Sequence, residues 1–581
     1  MPDRNLIVLK FGGSVLRSEQ DQTAAAAEIY RWHREGHKVV AVASAYHGIT
    51  DHFGAESERW GTSCPSAQAA LLGAGETRAA AHLALAVGRS GLKARFIPVS
   101  EARLVAEGLH HEARPVSLDT AHLGNLLDEH DVLVVPGFQA VGRSGDPRLL
   151  GRGGSDLTAL FLAERLGAQR CRLVKDTDGL FEWDPKQPGP APHRYQTITW
   201  HDAAGLDDGV VQPRALAFAQ QYQRPFDFAA CGSRQGTLVG AGATSLTSPL
   251  EPQKPVRVAL AGCGTVGGGL ALHLAQLPGF EMTGVAVKNV ERARSEIPAD
   301  VPLVTDPRRL LADQPDVLVE TMGGQEQAGA LCAAALRQGI PVITANKDLL
   351  AERGPELRRL AAGTGALLHG AAACGGGAPM LERTSQLGRD HSVRRLRGIV
   401  NGTSNWILDR LWTGTPLDEA VREAQDAGYA ETDPTADIGG HDAVYKICLL
   451  AQAAWGLDLA PSEVAVSGLE TLTPEFLAEA RRLGRRPRLV AEAQRTGQGV
   501  QASVSVQTVL PVDPLADVPG VANRLVVESD HGDRWLVDGQ GAGRWPTAQA
   551  VLADLLEVAA GLRESPVEVT SSLDLVRVVN G

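Results

Sequence analysis

Asp442 and Lys446 stand four residues apart, a spacing that brings both side chains to one face of a helix. Glu431 and Asp437 precede them in the loop leading into that helix, and a further lysine, Lys347, comes earlier in the chain. Acids gathered with a lysine can hold a zwitterionic amino acid and pass a proton to an oxygen. A second chemistry is written in Gly262-Cys-Gly264-Thr265-Val266-Gly267. Glycines at this spacing, after an apolar strand and ahead of a helix, allow a tight turn and let backbone and helix N-terminus meet a pyrophosphate. The second strand of such a unit usually ends in Asp or Glu for the ribose hydroxyls, but here it runs into Val287-Lys288-Asn289. Lys288 can pair with a 2′-phosphate, so the expected cofactor is NADP, with NAD the alternative. A third constellation, Lys10-Phe-Gly-Gly-Ser14, sets a lysine beside the amides of Gly12 and Gly13 near the start of the chain.

The elements that must position these residues repeat one pattern. Apolar strands are predicted at residues 6–9, 38–43, 94–98, 132–136 and 172–174, with amphipathic helices such as 67–87 and 156–166 between them. Strands alternating with helices indicate an α/β domain with a mainly parallel sheet. Residues 241–255 carry Gly, Thr, Ser, Pro and Gln with little periodicity and read as a linker. A second series of strands follows at 256–261, 281–287, 317–320 and 341–344. From about Gly375 the segments lengthen, and Gly539-Gln-Gly-Ala-Gly543 with Pro546-Thr-Ala548 leads into a helix from Ala550 to about Ala560. The expected division is a first α/β domain (1–243), a linker (244–255), a Rossmann dinucleotide-binding domain (256–374), an α+β substrate and dimerisation domain (375–538) and a segment returning to the Rossmann domain (539–581).

The bulk numbers bound these readings. The chain has 581 residues, room for three or four domains, and 44% hydrophobic content builds a core for each. A net charge of −12 argues against a nucleic-acid surface. The seven cysteines are scattered, odd in number and form no C-x-x-C pair, which argues against a disulfide framework or a zinc site and suits a reducing cytoplasm. The N-terminus does not read as a signal peptide, and no apolar run is long enough to span a bilayer.

Five motifs occur in order in the second half: Val319-Glu-Thr-Met-Gly-Gly324, Thr344-Ala-Asn-Lys347, Gly398-Ile-Val-Asn-Gly-Thr-Ser-Asn405, Glu431-Thr-Asp-Pro434 and Asp437-Ile-Gly-Gly-His-Asp442-Ala-Val-Tyr-Lys446. Together they resemble homoserine dehydrogenase over residues 256–560. The resemblance implies reversible reduction of aspartate 4-semialdehyde to homoserine. Hydride passes to the aldehyde carbon, and the developing alkoxide needs a proton and a positive field. Those roles fall to Lys446, with Lys347 a second cation nearby. Glu431 and Asp442 would bind the substrate's amino and hydroxyl groups, and Asp437 would orient Lys446. Members of this family often bind a structural monovalent cation with a Glu shortly before the segment matching Cys374-Gly-Gly-Gly-Ala-Pro379. Here that position is Ala371, which leaves the carbonyls of Cys374 and Gly376 as ligands. The family is commonly dimeric, so a homodimer through the second half is expected.

The first half carries its own ordered set: Lys10-Phe-Gly-Gly-Ser14, Ser44-Ala45…Thr50, Gly75-Glu76, Pro136-Gly-Phe138, Gly151-Arg-Gly-Gly-Ser-Asp156, Lys175-Asp-Thr-Asp-Gly179 ending in Asp184-Pro185, and Gln212-Pro-Arg214. These resemble the amino-acid kinase superfamily, aspartate kinase most closely, over residues 5–240. An aspartate carboxylate is already ionised at neutral pH and needs no general base. The task is to overcome its repulsion from the ATP phosphates, which falls to Lys10, the amides of Gly12 and Gly13, Ser14 and Mg²⁺. Arg152 would grip the substrate α-carboxylate, with Ser155 beside it. The resemblance implies that Thr50 and Glu76 touch the amino acid, that Asp156 organises the transfer site, and that Asp176, Asp178 and Asp184 contact ATP.

Two departures stand out in this half. Aspartate kinases typically read Lys-Phe-Gly-Gly-Thr-Ser, whereas this chain has Gly-Gly-Ser14-Val15, and a His-Pro-Arg motif appears as Gln212-Pro-Arg214. Two other readings stay open: a dehydrogenase whose kinase half has become an interaction module, and a kinase for another small acid. ACT regulatory domains usually follow the catalytic domain of aspartate kinases, but here the second series of strands begins after about fifteen linker residues, and no room is expected for one after the dehydrogenase. Threonine or lysine is therefore not expected to inhibit through such a domain.

Overall fold

The computed structural model describes residues 5–61, 63–187, 189–206, 210–248, 254–497 and 499–563. The Val/Ala/Leu-rich runs of the first half become a nine-stranded, mainly parallel sheet. Leu6–Phe11 lies next to its central strand, Arg170–Lys175, with Lys38–Ala43 on its other side, and is buried on both faces. Near-continuous apolar strands are what such double burial requires. The predicted strands at 38–43 and 132–136 coincide with Lys38–Ala43 and Val132–Pro136. The predicted helix at 67–87 is longer, Pro65–Arg89, and starts at a proline whose missing N–H costs nothing at that position. The sheet also runs further than expected: Ser245–Leu246, within the predicted linker, pairs antiparallel with Tyr195–Thr199 at its edge. Residues 249–253 of that linker lie outside the described residues.

The second half opens with a six-stranded, fully parallel sheet whose first strand, Val256–Ala261, sits between Phe280–Ala286 and Val317–Glu320. A second six-stranded sheet, antiparallel apart from its edge strand Ala465–Ser467, is built around Val393–Ile399 and the long hairpin Arg486–Thr496/Gly499–Val509. The helix His441–Trp455 lies on it, burying Val444, Ile447 and Leu450 against Leu489 and Val504. The helix Arg544–Arg563 then returns to pack on Thr265–Leu274 of the parallel sheet's domain. Its other side meets Gln22–Arg34 of the first half, so Ile29, Leu83, Val551 and Leu552 belong to one continuous apolar core. No described helix is long and apolar enough to cross a membrane.

Candidate active sites

In the first half, chemistry gathers at the carboxyl ends of the central strands. Lys10 lies near the end of Leu6–Phe11, Lys175 ends the adjacent strand, and Asp156 sits in the first turn of the helix Gly154–Leu166. Gly153 enters that helix at φ 74°, a left-handed conformation that glycine adopts without strain. The resulting N-terminus offers free N–H groups to an anion. Lys10 Nζ is 2.5 Å from Asp156, and both are buried. Burial opposes ionisation of Asp156, but Lys10 and then Lys175 outweigh it and hold the carboxyl below its ordinary range. Burial, and next the charge of Lys10, lower the Lys175 ammonium. Two lysines around one carboxylate leave a net positive seat that an incoming anion would stabilise.

A cavity of about 740 Å³ opens at this point. Lys10, Gly13, Thr50, Glu76, Arg152, Ser155 and Asp156 all line it, as does Lys175, to which the sequence reading gave no role. Glu76 is buried with Oε2 unpartnered, and burial pushes its carboxyl up to about 7. Arg152 is exposed at the rim. Gly12 folds its carbonyl back to accept from Val15 and Leu16 N–H. Asp176, Asp178 and Asp184 do not line the cavity: Asp176 pairs with Lys186, Asp178 accepts from Ala230 N–H, and Asp184 accepts from Lys186 N–H. Ser14 bonds to Asp176. Arg214 turns away as well, bracing the Ala113 and Leu150 carbonyls, while Gln212 faces the cavity.

In the second half, Gly262 takes φ 103°, and a Cβ on Gly267 would lie 2.0 Å from the Gly262 carbonyl. The turn therefore closes onto the helix that begins at Thr265, next to Val266, with Gly264 as its N-cap. Thr321 Oγ1 donates to the Gly262 carbonyl at 3.0 Å and fixes the turn from the neighbouring strand. This is a cradle shaped for a pyrophosphate. Lys288 is exposed just past Phe280–Ala286, and Asn289 caps the short helix that brings Arg292 near it. Glu320, fully buried at the end of its strand, accepts from Met322 N–H at 2.6 Å and Thr344 Oγ1 at 2.5 Å, tying two strand-end loops together.

Three helix N-termini then converge. Asn346 caps Lys347–Thr364, Asn401 caps Gly402–Thr413, and Gly440, at φ 80°, admits His441–Trp455. Asp442 stands between two ammonium groups, with Lys347 and Lys446 each 2.7 Å away on different oxygens. Asn401 Nδ2 donates to Asp442 at 2.7 Å and to Asp437 at 2.6 Å. Lys446 also donates to the Val400 carbonyl at 2.7 Å. Burial opposes ionisation of Asp442, but Lys446 and Lys347 overcome it and hold the carboxyl far below its usual range. A lysine opening a helix is disfavoured by the dipole, and the Asp442 partnership offsets this for Lys347, whose ammonium is raised despite burial.

Lys446 takes its orientation from Asp442 and Val400, while Asp437 is held by Asn401, a residue to which the sequence reading gave no role. Glu431 is exposed in the loop before the site, with its carbonyl bonded to Gln425, and its side chain is not among the groups around Asp442. At the expected cation position, Ala371 brings no carboxylate. Its N–H donates to Asp554, which is already paired with Arg34. Cys374 Sγ faces the Lys446 carbonyl at 4.0 Å, burial pushes its thiol up to about 12, and Gly376 packs on the Gly541 backbone. Among the described residues no group of three His, Cys, Asp or Glu is placed to hold a metal.

Paired lysines at the strand ends of one α/β domain, then a dinucleotide cradle feeding a buried Asp–Lys cluster, define a phosphotransferase joined to a nicotinamide-dependent oxidoreductase. Residues 5–225 match the amino acid kinase family, residues 262–369 the homoserine dehydrogenase NAD-binding domain, and residues 379–556 the homoserine dehydrogenase family. Homoserine dehydrogenase of Bacillus subtilis is 34% identical over 323 residues, covering 53% of this chain and 74% of that one. That of Mycobacterium leprae is 37% identical over 324 residues, covering 53% and 73%. The crystal structure of a homoserine dehydrogenase from Thiobacillus denitrificans superposes with a TM-score of 0.51 at 35% identity, over 53% of this chain and 74% of that one. The chain belongs to the homoserine dehydrogenase family and carries an amino acid kinase domain ahead of it.

Proposed function

We propose that the chain catalyses two separated steps of one pathway: ATP-dependent phosphorylation of L-aspartate on its side-chain carboxylate, and NADPH-dependent reduction of aspartate 4-semialdehyde to L-homoserine. The observation that carries the second reaction is Asp442 bridging Lys347 and Lys446. An ammonium has three N–H groups. Lys446 commits one to Asp442 and one to Val400, which leaves the third for the substrate oxygen. The bound nicotinamide supplies or accepts the hydride. As the aldehyde oxygen gains charge, Lys446 gives it the proton and Lys347 adds a second positive charge. Asp442 stays ionised throughout, holding both lysines, and Asn401 fixes Asp442. Asp437, held by the same Asn401, and Glu431, in the loop before the site, are the acids proposed for the substrate ammonium. Gly262, Gly264, Thr265, Val266 and Gly267 would seat the pyrophosphate, and Lys288 the 2′-phosphate of NADP.

In the first half, Lys10 and Lys175 flank the path of the transferred phosphoryl group, and the N-terminus at Gly154–Ser155 faces the same space. Asp156 keeps Lys10 in place. ATP would enter with Mg²⁺ over Gly12, Gly13 and Ser14, with Asp176, Asp178 and Asp184 on the loop beyond. Aspartate would sit with its ammonium on Glu76, its α-carboxylate on Arg152, and Thr50 and Ser155 alongside. The open edge strand Arg534–Gln540, with Leu536 exposed, supports a homodimer through the second half. Seven free cysteines support a reducing, cytoplasmic setting. The full chain should form aspartyl hydroxamate when given ATP, Mg²⁺, aspartate and hydroxylamine, and Lys10→Met should lower that rate about 10³-fold. A wild-type protein that makes no hydroxamate from aspartate would overturn the kinase reading.

A further inference from the structure

The two halves meet through a charge cluster that touches neither candidate reacting centre. Arg34, at the end of Gln22–Arg34, crosses the boundary to the returning helix Arg544–Arg563. Its Nη1 is 2.8 Å from Asp554 Oδ1, and its Nη2 donates to the Ala553 carbonyl at 3.2 Å and to Glu557 at 2.5 Å. Arg234, also from the first half, reaches the other oxygen of Glu557 at 2.7 Å. Arg34 and Asp554 are both nearly inaccessible, with side-chain exposures of 4% and 3%. A carboxylate buried that deeply requires its partner.

The second oxygen of Asp554 accepts the Ala371 N–H at 3.0 Å. From Ala371 a short turn leads to Cys374, whose sulfur faces the carbonyl of Lys446. A few residues on, Gly377 passes so close to the first half that a Cβ there would lie 3.0 Å from the Ser90 carbonyl. The segment 371–378 thus reaches the amino-terminal half through Asp554 and Arg34 at one end and passes close to Ser90 at the other, and Cys374 between them abuts the helix that carries Asp442 and Lys446.

We propose that the amino-terminal half is a working part of the dehydrogenase, with Arg34 a positioning residue that fixes, through Asp554, the segment 371–378 against the catalytic helix. This rests on the reading of Lys446 and Asp442 as the reducing site. Arg34 makes three hydrogen bonds at once through a planar fork, with Glu382 3.9 Å away as well, which a lysine, carrying the same charge at one point, cannot reproduce.

The test uses full-length Arg34→Lys, Arg34→Leu and Lys446→Ala, assayed for homoserine oxidation with NADP at a temperature where each is folded. Amide hydrogen exchange is followed across 371–377. In Arg34→Lys, kcat should fall about tenfold while KM for NADP changes less than about twofold and exchange in 371–377 quickens. Arg34→Leu should fall further, and if it does not fold, Arg34→Lys alone carries the test. A merely structural role would lower Tm and leave kcat per folded molecule unchanged. Wild-type kcat and exchange in Arg34→Lys, with Lys446→Ala inactive, would overturn this proposal alone. Retained turnover in Lys446→Ala would overturn the site reading and this proposal with it.

Discussion

Both candidate active sites of this chain gather one buried carboxylate and two lysines, yet they differ in what the lysines are free to do. In the kinase half, Asp156 touches Lys10, and Lys175 completes the trio with its ammonium lowered by burial and by the charge of Lys10. Surplus positive charge held under tension is what a crowd of anions needs, because phosphoryl transfer to a carboxylate moves no proton. In the dehydrogenase half, Asp442 touches both lysines, Asn401 adds a donor, and Lys347 is raised. Here one ammonium must surrender a proton as the oxygen gains charge, and the carboxylate must not compete for it. Strong ionisation of Asp442 meets that requirement. On the proposed function, the same three residue types would serve as an electrostatic clamp in one half and as a proton donor in the other, according to whether the carboxylate is shared.

The comparison breaks most sharply at the carboxylates. Asp442→Asn should lower the kcat for semialdehyde reduction by about 10³-fold, because both lysines lose their common anchor. Asp156→Asn should cost the kinase about 10²-fold, because Lys175 and the helix N-terminus remain. Steady-state kinetics on the two reactions of the full-length protein give both numbers. Equal losses would mean that sharing the carboxylate makes no difference.

Glu76 sharpens the contrast through pH. Its carboxyl is raised to about 7 in the free protein by burial, so it is largely neutral in mild acid. Pairing with a substrate ammonium requires the ionised form. Aspartate KM should therefore rise as pH falls through about 7, roughly tenfold per unit below it, and level off above. Glu76→Gln should raise KM about 30-fold at pH 8, the loss of one charge-assisted hydrogen bond, and flatten the profile. A KM–pH profile that is identical in the variant would remove Glu76 from the aspartate site. Asp442 differs, since Lys446 and Lys347 hold its carboxyl far below the usual range.

Much of this was legible because local sequence and global position agree. Apolar runs such as Val132–Pro136 and Val256–Ala261 can only be strands buried on both faces, and each became one. The i,i+4 spacing of Asp442 and Lys446 placed them on one helix face, where they touch. Contacts between residues far apart in the chain were not legible. Asn401 reads as an ordinary helix cap, and nothing nearby announces that its amide also ties Asp437 to Asp442. Arg214 reads as part of a site motif, but its guanidinium finds backbone carbonyls across the fold. Arg34 and Asp554 are separated by 520 residues, and only the fold brings them together. The one local signal for Lys175 was its position at the end of an apolar strand beside two aspartates.

The smallest expected effect concerns the cofactor rather than the reacting atoms, and it asks whether the two halves handle phosphate alike. On the proposed function, the kinase half would meet phosphates with buried lysines, one of them fixed by a carboxylate. The dehydrogenase half offers Lys288 and Arg292 in the open, past the end of Phe280–Ala286. An exposed cation interacts weakly and is screened by salt. Lys288→Glu should therefore shift kcat/KM from NADP towards NAD by only about tenfold, or ~1.4 kcal/mol, and the shift should shrink as ionic strength rises. The new carboxylate would repel the 2′-phosphate and accept from the ribose hydroxyls that NAD leaves free. Homoserine oxidation with each dinucleotide at two salt concentrations measures this directly. An unchanged preference would move 2′-phosphate recognition away from Lys288, and a salt-independent shift would mean that the cation is enclosed when the dinucleotide binds.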